Sequence, residues 1–286
     1  MPSTVIEQAQ IFIWNNARLL ERQLFSFLFQ NGDRQKVLMA LMAYQNPDDG
    51  FGNALEPDKR SSSSQPIDQE FALRVLDDIG FEDWLAVQIC DFLTTITTVE
   101  GGVPYVLPTV RDAPRAEWWN TEDDPPASIN PTASIAGLLH KHHFQHIWLE
   151  RATEFCWQKI ESLENPSDHD LLCVVLFLEH APDHERANRE FKRLEEQLKK
   201  HAALDPNASG YVQKPLTWAP SPASLCRVLF DDPLIDLHLD MLASQQQPDG
   251  GWHISWPAIS AASELEARGI VTINAIKTLK AYGHLK

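Results

Sequence analysis

Acidic residues set among tryptophans and arginines are the first side chains here that could do chemistry. Asp123 and Asp124 stand together after Glu122 and before Pro125-Pro126. Two carboxyls so close discourage each other's ionisation, and the one with the raised pKa can act as a general acid. The two prolines hold the segment extended and can aim it inward. A second acidic set, Glu56 and Asp58, lies just before Arg60. We assign the catalytic role to Asp123, Asp124, Asp58 and Glu56; the plain alternative is a solvated acidic rim. Trp118 and Trp119 sit in a polar stretch where burial is not forced, so their rings can stack on a sugar, face a carbocation, or fold back as a cap. With Tyr105 and Trp218 they form the aromatic part of a candidate ligand site. Arg60, Arg111 and Arg115 supply the cations, able to clamp a phosphate or carboxylate.

Other reactive residue types read as structural. Cys90, Cys156, Cys173 and Cys226 are far apart in apolar, helix-like runs, as expected of reduced, buried thiols. His140 and His143 have a spacing that could hold a metal, but they sit at a helix end, where a cation is favourable in itself. No glycine-rich phosphate loop, nucleophile elbow or zinc-binding histidine pair is present. We therefore expect neither metal nor cofactor.

The elements that must carry these residues are helical. Apolar residues at Phe191, Leu194, Leu198 and Ala202 mark one face of a helix, and Trp148, Ala152, Phe155, Cys156 and Ile160 mark another. Leu171 to Leu178 is apolar on every side and so must be buried on every side. The pattern predicts helices at roughly 5–29, 34–45, 67–79, 82–98, 131–142, 145–162, 168–180, 184–202, 222–230, 233–247 and 270–282. Short connections alternate with long ones rich in Pro, Gly, Ser and Trp. The long ones, after 45, 98, 202 and 247, hold the candidate residues and should emerge at one end.

Two of those long loops open on the same phrase. Gln45-Asn46-Pro47-Asp48-Asp49-Gly50-Phe51-Gly52 is matched by Gln245-Gln246-Gln247-Pro248-Asp249-Gly250-Gly251-Trp252. Gly102 with Tyr105 and Gly210-Tyr211 are weaker copies at a period of about 50 residues. The predicted fold is all-α: a single (α/α)5–6 toroid of inner and outer helices over residues 1–286.

The phrase, closing an outer helix, resembles the repeat of terpenoid cyclases and protein prenyltransferase β-subunits. The resemblance implies that the glutamine ties up helix-end backbone, that the ring packs on the next repeat, and that inner helices line a cavity for isoprenoid chains. Squalene-type cyclases begin one inner helix with Asp-x-Asp-Asp-Thr-Ala. The register match here is Ser128-Ile129-Asn130-Pro131-Thr132-Ala133. Thr-Ala remains, but Ser128, Asn130 and Pro131 cannot protonate an alkene. Nor is there the Asp-x-Cys pair with which prenyltransferases hold zinc; Cys226 and His238 read as a core thiol and a surface imidazole. The expectation is a divergent toroid that binds or transforms an isoprenoid or other apolar small molecule. If it is an enzyme, its chemistry would be cyclase-like or prenyltransferase-like. A carbohydrate-active α/α enzyme and a non-catalytic binding or scaffold protein are the other two readings.

Composition narrows the partners. A formal charge of −16 argues against nucleic acid, because phosphate binding needs a basic face. It also argues against docking on an anionic membrane by charge alone, though not against other peripheral contact. No run approaches the ~18 apolar residues of a spanning helix. Met1-Pro2-Ser3-Thr4 has no secretory character. We expect a cytoplasmic protein.

Overall fold

A computed structural model describes residues 4–285; Met1, Pro2 and Ser3, read above for a leader, lie outside the described residues. The chain is helical, and among the described residues strand pairing is limited to isolated bridges such as Lys59 with Arg115. No helix among them is long and apolar enough to cross a membrane. The structure gathers into two compact units. One is Leu41–Leu194; the other joins Met1–Ala40 to Glu195–Lys286. Helices α3 (Arg34–Met42) and α9 (His184–His201) run across the two boundaries.

The central unit holds α4 (Pro66–Ile79), α5 (Asp83–Ile96), α6 (Ile129–Lys141), α7 (Ile147–Glu161) and α8 (Asp168–His180). Helix α6 packs against α4, α7 and α8, while α5 packs against α4 and α7. Every residue of α6 from Ile129 to Leu139 is buried. Its tightest approach is at Gly137, where a Cβ would come within 2.7 Å of the Leu176 carbonyl oxygen of α8. Helix α8 buries Leu171, Cys173, Val174, Val175, Phe177 and Leu178, as its all-round apolar run requires.

The terminal unit contains α1 (Val5–Asn16), α2 (Leu19–Gln30), α10 (Pro215–Trp218), α11 (Asp232–Ser244) and α12 (Ala261–Ala281). Thr4 and Glu7 form a capping box at the start of α1. The single helix predicted at 5–29 is broken, because Ala17 and Arg18 are both extended. Gly269 of α12 faces the break, where a Cβ would lie 3.0 Å from that of Ala17. The helix predicted at 222–230 is only a 3-10 turn, Leu225–Leu229. Helix α12 begins well before the predicted 270, at a Ser260–Ser263 capping box.

The repeated phrase forms the same turn in both units. Asn46 N donates to Gly50 O at 2.8 Å, and Gln247 N to Gly251 O at 2.8 Å. Asp48 Oδ1 accepts from Gly50 N at 3.1 Å, and Asp249 Oδ1 from Gly251 N at 3.0 Å. Asp49 (φ 65°) and Gly250 (φ 93°) take the left-handed position. The glutamine that bonds back across the turn is Gln45 in the first copy, to Asp49 O, and Gln246 in the second, to Gly250 O. Gln245, paired with Gln45 by spelling, is instead the exposed cap of α11.

A third copy lacks the phrase but keeps the turn. Thr98 N donates to Gly102 O at 2.9 Å, and Gly101 takes φ 99°. The position of Phe51 and Trp252 is filled by Val103, not Tyr105. Each copy docks on the following helix in one way. Phe51 N and O both bond the Gln69 side chain of α4, and Val103 N and O both bond Thr132 Oγ1 of α6. Gln65 N and Ser128 N then donate to the same two carbonyls. In the terminal unit Thr272 accepts from Trp252 N, and Arg268 donates to Trp252 O.

Candidate functional site

The first long loop carries a buried charged cluster. Two successive left-handed residues, Asn53 (φ 54°) and Ala54 (φ 59°), redirect the chain just before it. Such a conformation is costly for alanine, about 1–2 kcal/mol. It is held because Asn53 N and Ala54 N bond the Ser62 and Ser61 carbonyls, both at 3.3 Å. The turned chain then brings Glu56, Asp58 and Lys59 into the interior, against Asp68 in the first turn of α4. Lys59 and Asp68 are wholly buried, and Glu56 and Asp58 nearly so.

The members bind one another. Lys59 Nζ pairs with Asp68 Oδ2. The other Asp68 oxygen accepts from Glu56 N at 2.9 Å, and Glu56 Oε2 accepts from Asp58 N at 3.0 Å. The Lys59 ammonium thus pairs with Asp68, and Glu56 and Asp58 are buried in the same cluster. Burial pushes Glu56 up to about 8, the Asp58 and Asp68 charges reinforce this, and Lys59 opposes it. A pKa of about 8 keeps Glu56 largely protonated at neutral pH.

The second long loop closes over the first. Arg60 N donates to Pro114 O and Ala116 N to Asp58 O, both at 2.8 Å. Gln65 clamps the far end, donating to Thr109 Oγ1 at 2.9 Å and accepting from Leu107 N at 2.8 Å. Trp119 is buried and stacks on Tyr105, with ring centroids 4.8 Å apart, and its Nε1 has no hydrogen-bond partner. Trp118 beside it is 42% exposed.

The structure therefore brings Glu56, Asp58, Arg60, Arg115 and Trp119 onto facing loops, but it separates the acids into two groups. Asp123 is 89% exposed in its ion pair with Arg111, and Asp124 is exposed as well. They stand in solvent, because Pro125-Pro126 extends the segment along the surface. The Arg115 side chain turns back on its own loop, to Asn120 Oδ1, Arg111 O and Ala113 O. Arg60 reaches Pro57 O at 3.4 Å. Trp218 belongs to the terminal unit, where it is buried and its Nε1 lacks a partner.

Lys59 and Asp68 are essential to the cluster and were not read from the sequence. The signal for Asp68 is Pro66-Ile67-Asp68, which looks like an acid serving an exposed helix N-terminus. Lys59 looks like one more charge in a solvated run. Only the turn at Asn53-Ala54 takes both inside.

Beside the cluster, the other face of the Ser61–Ser64 run lines an open groove of about 620 Å³, together with the first repeat turn and the end of α5. His140, His142 and His146 lie elsewhere and bond Thr153, Asp77 and Asp91. His142 bonds Asp77 at 2.8 Å and stacks on Phe81, while burial pushes His140 down to about 4. Among the described residues no group of His, Cys, Asp and Glu is arranged to hold a metal. No known family's sequence profile matches the chain, and no curated protein is similar to it in sequence.

Proposed function

We propose that this chain is a divergent relative of the terpenoid cyclase and prenyltransferase toroids, binding a small molecule against its first long loop with Glu56 as the acid. The observation that carries the reading is the buried cluster against the head of α4, in which Glu56 N bonds Asp68, Asp68 pairs with Lys59, and burial pushes Glu56 up to about 8. The shared hydrogen-bond register makes Gln65 equivalent to Ser128, and Gln69 to Thr132. Asp68 is then the counterpart of Pro131, one of the three positions where the resembling cyclases keep aspartate. What α6 has lost by sequence, α4 and its loop supply.

In this reading Glu56 gives its proton to a bound substrate and becomes a carboxylate. Lys59 and the Asp58 N–H stabilise that carboxylate, and Asp68 keeps Lys59 in place. The α4–α6–α8 and α5–α7 packing supports inner and outer rows, and the three equivalent turns support the repeat. The resemblance supplies the ligand class, an isoprenoid or other apolar molecule, as a toroid with a central cavity would take. A carbohydrate is the second reading, favoured by the hydroxyl-lined groove on the same loop.

The test is incubation of the protein and its Glu56→Gln variant with isoprenoid alcohols, diphosphates and squalene-length polyenes, with binding and products both measured. Binding by both proteins, with conversion only by the parent, is expected. Absence of isoprenoid binding by the parent, or equal conversion by the variant, would refute the reading.

A further inference from the structure

We propose that the groove beside the Ser61–Ser64 run is a binding site for a neutral, polyhydroxylated ring molecule, a sugar. Its volume, about 620 Å³, is in the range of small-molecule sites. Its walls have two characters. Phe92, Ile96 and Leu107 give an apolar side, suited to the C–H face of a sugar ring. The polar part of the lining comes from Ser62, Ser63, Thr95, Thr109 and Asp48.

Hydrogen-bonding capacity in the groove is only partly used. Ser64 gives its proton to Asp48 Oδ1 at 2.7 Å and accepts from Asn46 Nδ2 at 3.0 Å, so it is satisfied within the wall. Thr95 Oγ1 donates to Phe92 O at 2.7 Å, whereas the Ser62 and Ser63 hydroxyls are not engaged in this way. Asp48 Oδ1 takes both of that residue's bonds, from Gly50 N and Ser64, leaving Oδ2 to accept. Thr109 Oγ1 accepts from Gln65 and still has its own proton to give. An array that both donates and accepts matches vicinal hydroxyls, which do the same.

Charge decides against anions. No lysine, arginine or histidine lines the groove, and its one ionised group is a carboxylate. A phosphate or carboxylate ligand would meet repulsion with no compensating cation. The wall is also preformed. Gly52 lies so near the serine run that a Cβ there would come within 2.5 Å of Ser63 O, and Asn46 Nδ2 holds Ser62 O at 2.8 Å. A ligand therefore need not order the loop.

This site is independent of the Glu56 reading, and one experiment separates them. Saturation-transfer NMR would be run with glucose, maltotriose, cellotriose and xylotriose at millimolar concentration, with glucose 6-phosphate as the anionic probe. The variants are Thr95→Arg, which blocks the groove from an exposed helical position, Ser63→Ala, and Glu56→Gln. Transfer to at least one neutral saccharide is expected, reduced tenfold or more in Thr95→Arg, weakened in Ser63→Ala and retained in Glu56→Gln. Amide spectra of each variant establish that it is folded. The proposal is overturned if no neutral saccharide shows transfer, if folded Thr95→Arg binds as well as the parent, or if glucose 6-phosphate is preferred to glucose.

Discussion

Glu56 makes the residue-scale case, because its protonation is linked to stability. Its folded pKa, about 8, is above the ordinary 4.5. Between those values the folded protein binds the proton more tightly than the unfolded chain, so this group's contribution is complete below pH 4.5 and is lost as pH rises toward 8. Stability measured by urea unfolding should fall through that window more steeply in the parent than in Glu56→Gln, by about 1.4 kcal/mol per pH unit at most. Parallel curves would mean that Glu56 is ionised in the fold. The rim acids behave differently. Asp123→Asn with Asp124→Asn removes an exposed pair, worth at most about 1 kcal/mol. That double variant should melt almost as the parent does, so any loss of ligand binding would report on function alone. Glu56 and Asp58 were legible as candidates because they stand with Arg60 in a long loop. Their burial was not, since it depends on a left-handed Ala54 after Asn53, a conformation that alanine does not announce.

At the scale of elements, the repeat turn is the unit that organises the chain. Trp252 is buried, its N bonds Thr272 Oγ1 at 3.1 Å, and its Nε1 bonds Leu242 O at 2.8 Å. Trp252→Ala should cost roughly 3–5 kcal/mol, read as a lowered melting temperature. Gly250→Ala should also destabilise: it is left-handed, and its Cβ would meet Gln8 O at 2.0 Å. The equivalent substitution Asp49→Gly, which relaxes the same turn position, should be neutral or slightly stabilising; a large loss there would show that the two turns are not equivalent. Helices with strong periodicity were legible, α8 and α9 nearly to the residue. The break between α1 and α2 was not, because apolar spacing continues across Ala17-Arg18. The third turn was legible only as a weaker copy marked by Gly102, and its ring position was assigned to Tyr105 rather than Val103, because Thr98, Val99 and Glu100 replace the Asn-Pro-Asp spelling.

For the whole molecule, two compact units predict a graded response to damage. Trp252→Ala should speed amide hydrogen exchange first in α1, α2, α11 and α12, and later, if at all, in α4, α6 and α8. Uniform acceleration would mean that the units open as one. In the same experiment Phe177→Ala, at the α6–α8 contact and in an edge contact with the Trp157 ring, should reverse the order. Periodicity and a repeat of about 50 residues made the all-α class legible. They could not show that both chain ends contribute to one unit, since that pairing depends on contacts between residues some 240 positions apart, such as Gln246 with Val5.

That pairing has a consequence for synthesis. Helix α1 packs on α12, so it waits for a helix made much later. On the ribosome the central unit, 41–194, can complete its core while α1 and α2 still lack the surface that covers Phe12, Ile13 and Phe25. A nascent chain halted before residue 261 would carry a finished centre and a sticky leading end. Chaperone demand should therefore persist through the synthesis of residues 195–260, and it should ease only when α12 leaves the exit tunnel.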